Sequence, residues 1–311
     1  MKKDIIYSIK SPYREDFTVK GYRFGKGEKS VAIVGSLRGN EMQQLYISSQ
    51  LIKALKKLEQ KGDIVFNNEI LVIPSLNYYG MNIGKRFWSV DNTDINRMFP
   101  GNPDGETTQR IADGVFQTVK EYQYGIHFAS FYLQGDFIPH IRMMDTGFQN
   151  PSLANLFGLQ YVVIRKPQPY DTTTLNYNWQ QWNTHAFSLY TNQTDRIDEE
   201  SADKAVTAVL RFLSRMGIAK FKCHGGYMAS TFYESDLMPV KATTAGFYKR
   251  YKHPGDNVEQ GEVIAKILDP YEGEVKKKIL APANGIIFFA HSAPMIMENE
   301  IAFRMIKRFH T

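Results

Sequence analysis

The chain has 311 residues, 43% of them hydrophobic and 13% aromatic, and its 38 basic and 32 acidic side chains give a formal net charge of +6. This composition is too apolar for a disordered chain, and no collagen-like or heptad period is sustained. No apolar run reaches the ~20 residues of a membrane-spanning helix, and the opening stretch breaks at Ser8 and Lys10, too soon for a secretory signal. The single cysteine, Cys223, excludes an intrachain disulfide and any zinc site built from several cysteines. A soluble, reduced, cytoplasmic protein is the expectation. The basic clusters Lys249-Arg250-Tyr251-Lys252, Lys276-Lys277-Lys278 and Lys307-Arg308 are short and scattered. They read as solvated strand faces, so neither nucleic acid nor membrane is expected as a partner.

In chain order, the first segment reads as one or two strands and a turn at Gly25-Lys26-Gly27, followed by Val31-Ala-Ile-Val34 as a buried parallel strand. From Asn40 to Lys61 the period changes to that of a helix. Met42, Leu45, Leu51, Ile52, Leu55 and Leu58 share one face, with Asn40 as the expected cap and Gly62 as the stop. Ile70-Leu-Val-Ile73 is a second buried strand ended by Pro74. The stretch from Ser75 to Gly105 is then aperiodic and rich in Asn, Gly, Asp and Arg, and compact domains rarely carry so long a loop without a use for it. A helix over about 106–123 is expected next, then strands at Tyr161–Ile164 and Ala186–Tyr190, and a helix over 202–216. This alternation argues for an α/β fold with a mixed, mostly parallel sheet flanked by helices over 1–218. From 219 to 311, short alternating segments divided by turns such as Pro254-Gly-Asp256 and Pro282-Ala-Asn-Gly285 read as a small all-β, barrel-like domain.

Ligands of parallel sheets bind at the carboxyl ends of the strands. Three segments leave such ends: Gly35-Ser-Leu-Arg-Gly-Asn-Glu41, the loop with Arg86 and Asp94-Ile-Asn-Arg-Met-Phe-Pro-Gly101, and Tyr124-Gly-Ile-His-Phe-Ala-Ser130. The Asp94–Gly101 run, with Arg86 before it, resembles the M14 zinc carboxypeptidase fold. More narrowly, it is similar to the succinylglutamate desuccinylase/aspartoacylase branch. Gly39-Asn40-Glu41 resembles the end of that branch's His-Gly-Asn-Glu metal signature, Gly125-Ile-His127 its Asp-Leu-His, and the β-rich tail its C-terminal domain. The resemblance implies a zinc-dependent amide hydrolase acting on a small acidic N-acyl or peptide substrate. Glu41 and His127 would be metal ligands, and Arg86, Asn96 and Arg97 would bind the substrate carboxylate.

The chain departs from that pattern at its metal site. Arg38 stands where the first histidine is expected, and a guanidinium has no lone pair to give a metal. Gly125 replaces the orienting aspartate, and Tyr190 falls at the place of the catalytic glutamate, where a phenol is a poor base at neutral pH. Asp91, Asp94, Asp136, His140 and His185 are candidate third ligands, with Asp136 and His140 in Gly135-Asp-Phe-Ile-Pro-His140, which reads as a turn. The alternative is a catalytically lapsed, metal-free anion-binding or regulatory protein, in which Arg38 supplies the positive charge beside Glu41. Metal-free catalysis by Tyr190 and Arg38 is a further reading. A homo-oligomer is left open.

Overall fold

The computed structural model describes residues 1–13, 15–132, 134–191 and 196–308. The chain forms two compact units. The first is built from Met1–Ser130, Pro139–Tyr190 and the chain that leads up to Phe232, the second from Phe131–Ile138 and the chain from Tyr233 onward. Among the described residues no helix is long and apolar enough to cross a membrane.

The first unit holds strands β1 (Lys2–Ile9), β2 (Phe17–Ser36), β3 (Asn67–Ser75) and β4 (Tyr124–Ala129), with helices α1 (Met42–Gln60), α2 (Tyr78–Asn82) and α3 (Thr107–Val119). The second unit's β5 (Gly135–Phe137) intervenes. The first unit then continues with β6 (His140–Met144), α4 (Pro151–Ala154), β7 (Tyr161–Arg165), α5 (Leu175–Gln181), β8 (His185–Tyr190), α6 (Glu199–Arg215) and β9 (Ser230–Tyr233). Its eight-stranded sheet runs β1-β2-β4-β8-β6-β7-β9, with β3 paired to β2. The β2 strand doubles back at Gly25 and Gly27, both at positive φ, where a side chain on Gly25 would strike the Asn68 carbonyl. As a result Tyr22, Arg23 and Phe24 face Val72, Leu71 and Ile70, while Val31–Val34 face Ile70–Ile73. β4 lies parallel to β2 and β8, and β6 runs antiparallel to β8.

Both sheet faces are covered, which explains the uninterrupted apolar strands. Val31, Ile33 and Ile126 pack with α1 and α6 residues such as Leu51, Leu55, Val209 and Phe212. Ala32 and Val34 face the other way, onto Ile111, Val115 and Trp179 of α3 and α5. The second unit pairs β10 (Met238–Lys241), β12 (Asn257–Val258), β15 (Gly285–His291), β17 (Ile301–Lys307) and β5 in one sheet. A second sheet holds β11 (Gly246–Arg250), β13 (Val263–Leu268), β14 (Val275–Leu280) and β16 (Met295–Ile296). Ile264, Ile267, Ile287, Ile296 and Phe303 fill its core.

Three local expectations are corrected. Glu41, not Asn40, is the N-cap residue of α1, while Gly62 ends the helix at a φ of 73° as expected. The segment Gly135–His140, read as a turn, forms β5 and the start of β6. Residues 219–232 pack with the first unit, Tyr227 and Ser230 donating backbone hydrogen bonds to the carbonyls of Gly158 and Gln160. The division therefore falls at Phe232, not at 218.

Candidate functional site

The long loop after β3 is held by the apolar residues spaced along it. Leu76, Trp88, Ile95 and Phe99 are all buried in the core beneath the sheet. Between these anchors the polar residues have little freedom. The Gly39 amide donates to the Arg86 carbonyl at 2.9 Å, and a Cβ on Gly39 would lie 2.2 Å from the Lys85 carbonyl oxygen. Glycine is what lets the loop after β2 and the loop carrying Arg86 come this close.

Arg38 lies at the centre, 4% exposed, with Glu41 beside it at 0%. Its Nε donates to Asp94 Oδ1 and Oδ2 at 3.1 and 3.0 Å, its Nη2 lies 3.0 Å from Asp94 Oδ2, and its Nη1 donates to Glu41 Oε1 at 3.1 Å. Glu41 does not cap α1 with its side chain. Its Oε2 turns back to accept from the Leu37 and Arg38 amides at 2.7 and 3.0 Å, and its Oε1 also accepts from the Ser130 hydroxyl. Asp94 caps a short 3-10 helix, Ile95–Arg97, by accepting from the Asn96 amide at 3.0 Å. Burial works against the Arg38 charge, but Glu41 and Asp94 outweigh it and hold the guanidinium above the ordinary arginine range.

His127 is 2% exposed, on β4 opposite Val34, and its Nε2 has no hydrogen-bond partner among the described residues. Burial pushes the imidazole down to about 4, with Arg38 reinforcing the shift and Glu41 and Asp94 opposing it. Between pH 6.5 and 4 the unfolded chain therefore binds a proton that the folded chain does not. Stability from this group is complete above pH 6.5 and falls as pH drops through that window, by up to about 3 kcal/mol. Urea unfolding at stepped pH checks this. The His127→Gln variant should lose less stability than the parent between pH 6.5 and 4, and equal losses would remove the assignment.

Arg86 is the neighbouring cation. Among the described residues its guanidinium has no hydrogen bond or ion pair, and its only contact of that kind is the adjacent Phe87 ring at 5.7 Å. Burial pushes it below the usual arginine range and Arg38 adds to that, with Glu41 and Asp94 pulling the other way. Asn96 and Arg97 are already engaged. Asn96 Oδ1 accepts from the Leu175 amide at 3.1 Å, and Arg97 Nη1 donates to the Tyr170 carbonyl at 2.5 Å and lies 3.3 Å from Asp171. Tyr190 ends β8 beside Ala129, its ring stacked on His140 at 5.1 Å with the Arg142 guanidinium 4.4 Å from the ring centre.

Of the candidate third ligands, Asp94 reaches the Glu41 and His127 neighbourhood, and it does so bound to Arg38. Asp91 is exposed and accepts from the Thr93 amide. Asp136 lies in the second unit, paired with Arg250 at 2.8 Å. His185 begins β8, at the end away from Tyr190, and stacks on Tyr124. His140 packs on Tyr190. Sequence reasoning missed Ser130, whose position three residues after His127 carries no signal by itself.

Residues 27–216 match the family described as Succinylglutamate desuccinylase/Aspartoacylase catalytic domain, over more than half of the chain. The chain belongs to this family. An N-alpha-acetyl-L-2,4-diaminobutyric acid deacetylase from Halomonas elongata is 23% identical over 271 residues, covering 78% of this chain and 72% of that protein. Among solved structures, a succinylglutamate desuccinylase from Silicibacter sp. TM1040 aligns with a TM-score of 0.77 at 19% identity, covering 96% of this chain and 91% of the other. A succinylglutamate desuccinylase/aspartoacylase from Rhodobacter sphaeroides aligns at 0.76 and 18% identity, covering 95% and 90%. These likenesses agree with the mixed α/β architecture and its C-terminal antiparallel strands.

The donor set does not fit the zinc ion that the family resemblance implies. The partnerless His127 nitrogen is what a metal, a water or a ligand would fill. Yet a catalytic zinc takes three protein ligands, and no group of three His, Cys, Asp or Glu side chains is arranged to hold a metal among the described residues. A guanidinium instead spans Glu41 and Asp94. The orienting aspartate has no room either, because a Cβ on Gly125 would lie 2.6 Å from the Trp179 indole.

Proposed function

We propose that this chain acts on a small, carboxylate-bearing N-acyl amino acid as an amide hydrolase of the deacylase type, at the carboxyl edge of its first-unit sheet. The observation that carries the proposal is Arg86, a partly desolvated guanidinium without an ion-pair partner among the described residues, next to the Arg38, Glu41 and Asp94 cluster. A half-buried cation of this kind is completed by an anion from outside the chain, and a carboxylate matches its planar donor fork. Family membership and the deacetylase and desuccinylase relatives support an acylated amino acid as the source of that carboxylate.

In this reading Arg86 binds the carboxylate and Asn96 Nδ2 adds a neutral donor. Glu41, which holds the Ser130 hydroxyl, takes a proton from a water molecule as that water's oxygen forms the new C–O bond. Tyr190 is the phenol that gives a proton to the amine as the C–N bond breaks, and the proton held by Glu41 then returns to the phenolate through solvent, restoring both groups. A second reading, anion binding without hydrolysis, is favoured by the ion pairs that already engage Glu41 with Arg38.

The test incubates the purified chain with N-acetyl and N-succinyl amino acids, following amine release by chromatography and binding by calorimetry. Amine release that is lost in the Glu41→Gln variant supports the hydrolase. Binding without release leaves the second reading, and neither binding nor release defeats both.

A further inference from the structure

We propose that the Arg38 guanidinium takes the place of the metal ion in this site, bridging Glu41 and Asp94 as a fixed internal cation so that the wild-type chain binds no zinc there. The inference rests on the proposed function only for the location of the ligand, since metal binding is read independently of turnover.

The geometry is that of a built bridge rather than a casual surface pair. Nε and Nη2 face one carboxylate and Nη1 the other, at 3.0 to 3.1 Å, on a side chain that is nearly inaccessible. The fork is held by its neighbours: Glu41 is fixed by two backbone amides and the Ser130 hydroxyl, and Asp94 by the Asn96 amide. A zinc ion liganded by Glu41 would have to share that carboxylate with the guanidinium and sit against a like charge. Its second candidate ligand, His127, supplies a single nitrogen, and the chain offers no third donor arranged with these two among the described residues.

The charge balance changes as well. Arg38 and Arg86 face Glu41 and Asp94, two cations against two carboxylates, whereas a zinc ion in place of Arg38 would leave the cluster one charge more positive. The cation left to meet a ligand is Arg86. The site retains an attraction for one carboxylate, and chelators should have no effect on it.

The test measures zinc content by elemental analysis after the full chain is incubated with excess zinc chloride and desalted. The wild type is expected to retain only background zinc. The Arg38→His variant, which restores an imidazole beside Glu41 and His127, is expected to retain about one zinc ion per chain and to melt about 5 °C higher with zinc than without. Arg38→Cys, which supplies a thiolate in the same place, gives a second variant should the first fail to fold. Stoichiometric zinc in the wild type that disappears in Glu41→Ala overturns the proposal. So does the absence of zinc from a folded Arg38→His or Arg38→Cys chain, because Arg38 would then not be what keeps the metal out. Failure of the proposed function would appear instead as a chain that binds no N-acyl amino acid, whatever its zinc content.

Discussion

Replacing Arg38 with methionine is expected to cost the folded chain about 3–5 kcal/mol, the largest stability loss of any single substitution in the site. Methionine fills much of the same volume, so the loss comes from charge and not from a cavity. Glu41 is fully buried and the Asp94 side chain is 13% exposed, and both would lose the guanidinium that lies between them. Glu41 retains two backbone donors and Ser130, so Asp94 bears more of the loss. Adding Asp94→Asn to Arg38→Met should therefore recover part of the stability, while Asp94→Asn alone should be destabilising, a coupling that a double-mutant cycle isolates. For a unit of this size the single variant should melt about 6–20 °C lower. A melting point within a degree or two of the parent would show that the bridge contributes little.

The fold was legible where burial follows hydropathy. Val31–Val34 and Ile70–Ile73 are sheet centre strands covered on both faces, and Leu51, Ile52, Leu55 and Leu58 of α1 join Val206, Val209, Leu210 and Leu213 of α6 in one core cluster, whereas Met42 and Leu45 at the start of α1 stay outside it. The elements that escaped are those whose buried residues are polar. The sequence of α5, Leu-Asn-Tyr-Asn-Trp-Gln-Gln, gives no amphipathic signal, yet Asn176, Asn178 and Gln180 are all buried. Gln180 Nε2 donates to the Met144 carbonyl 36 residues away and Asn178 Nδ2 to the nearby Thr172 and Thr174 carbonyls, while the Asn176 side-chain amide has no partner among the described residues, and none of this follows from hydropathy along the chain. In the same way β6 carries Arg142 in its middle, which interrupts any apolar run.

The site was legible as a set of positions but not as a set of bonds. Motif order singled out Arg38, Glu41 and His127, and these three do share one electrostatic neighbourhood. What spacing could not supply was the direction of each side chain. Asp94 was one of five candidate acids and histidines, and the loop anchored by Trp88 and Ile95 turns it onto Arg38. Arg97 looks like a ligand-binding group in sequence, but contacts with Tyr170 and Asp171 already engage it, and the Leu175 amide takes Asn96 Oδ1, which leaves Asn96 only its Nδ2 for a ligand. Loop residues have many possible partners, and the choice is made by core anchors far along the chain.

Replacing Arg86 with alanine is expected to separate function from stability. A partly buried guanidinium with no carboxylate partner among the described residues is a desolvation cost that the fold carries, and the proximity of Arg38 increases it. Removing it should leave the melting temperature unchanged or slightly higher, as at sites where binding groups are held under strain. Binding of a small N-acyl amino acid should weaken about 100-fold, roughly 2.7 kcal/mol, because the ligand carboxylate would enter the site without its partner. The Arg86 carbonyl, which accepts from Gly39, is backbone and survives the change, so the loop should keep its place. Arg86→Lys should recover only part of the affinity, since an ammonium keeps the charge but not the planar fork. Calorimetric titration and a thermal melt on the same preparation check both halves of the expectation. Unchanged affinity, or affinity lost together with the fold, would remove Arg86 from the ligand site.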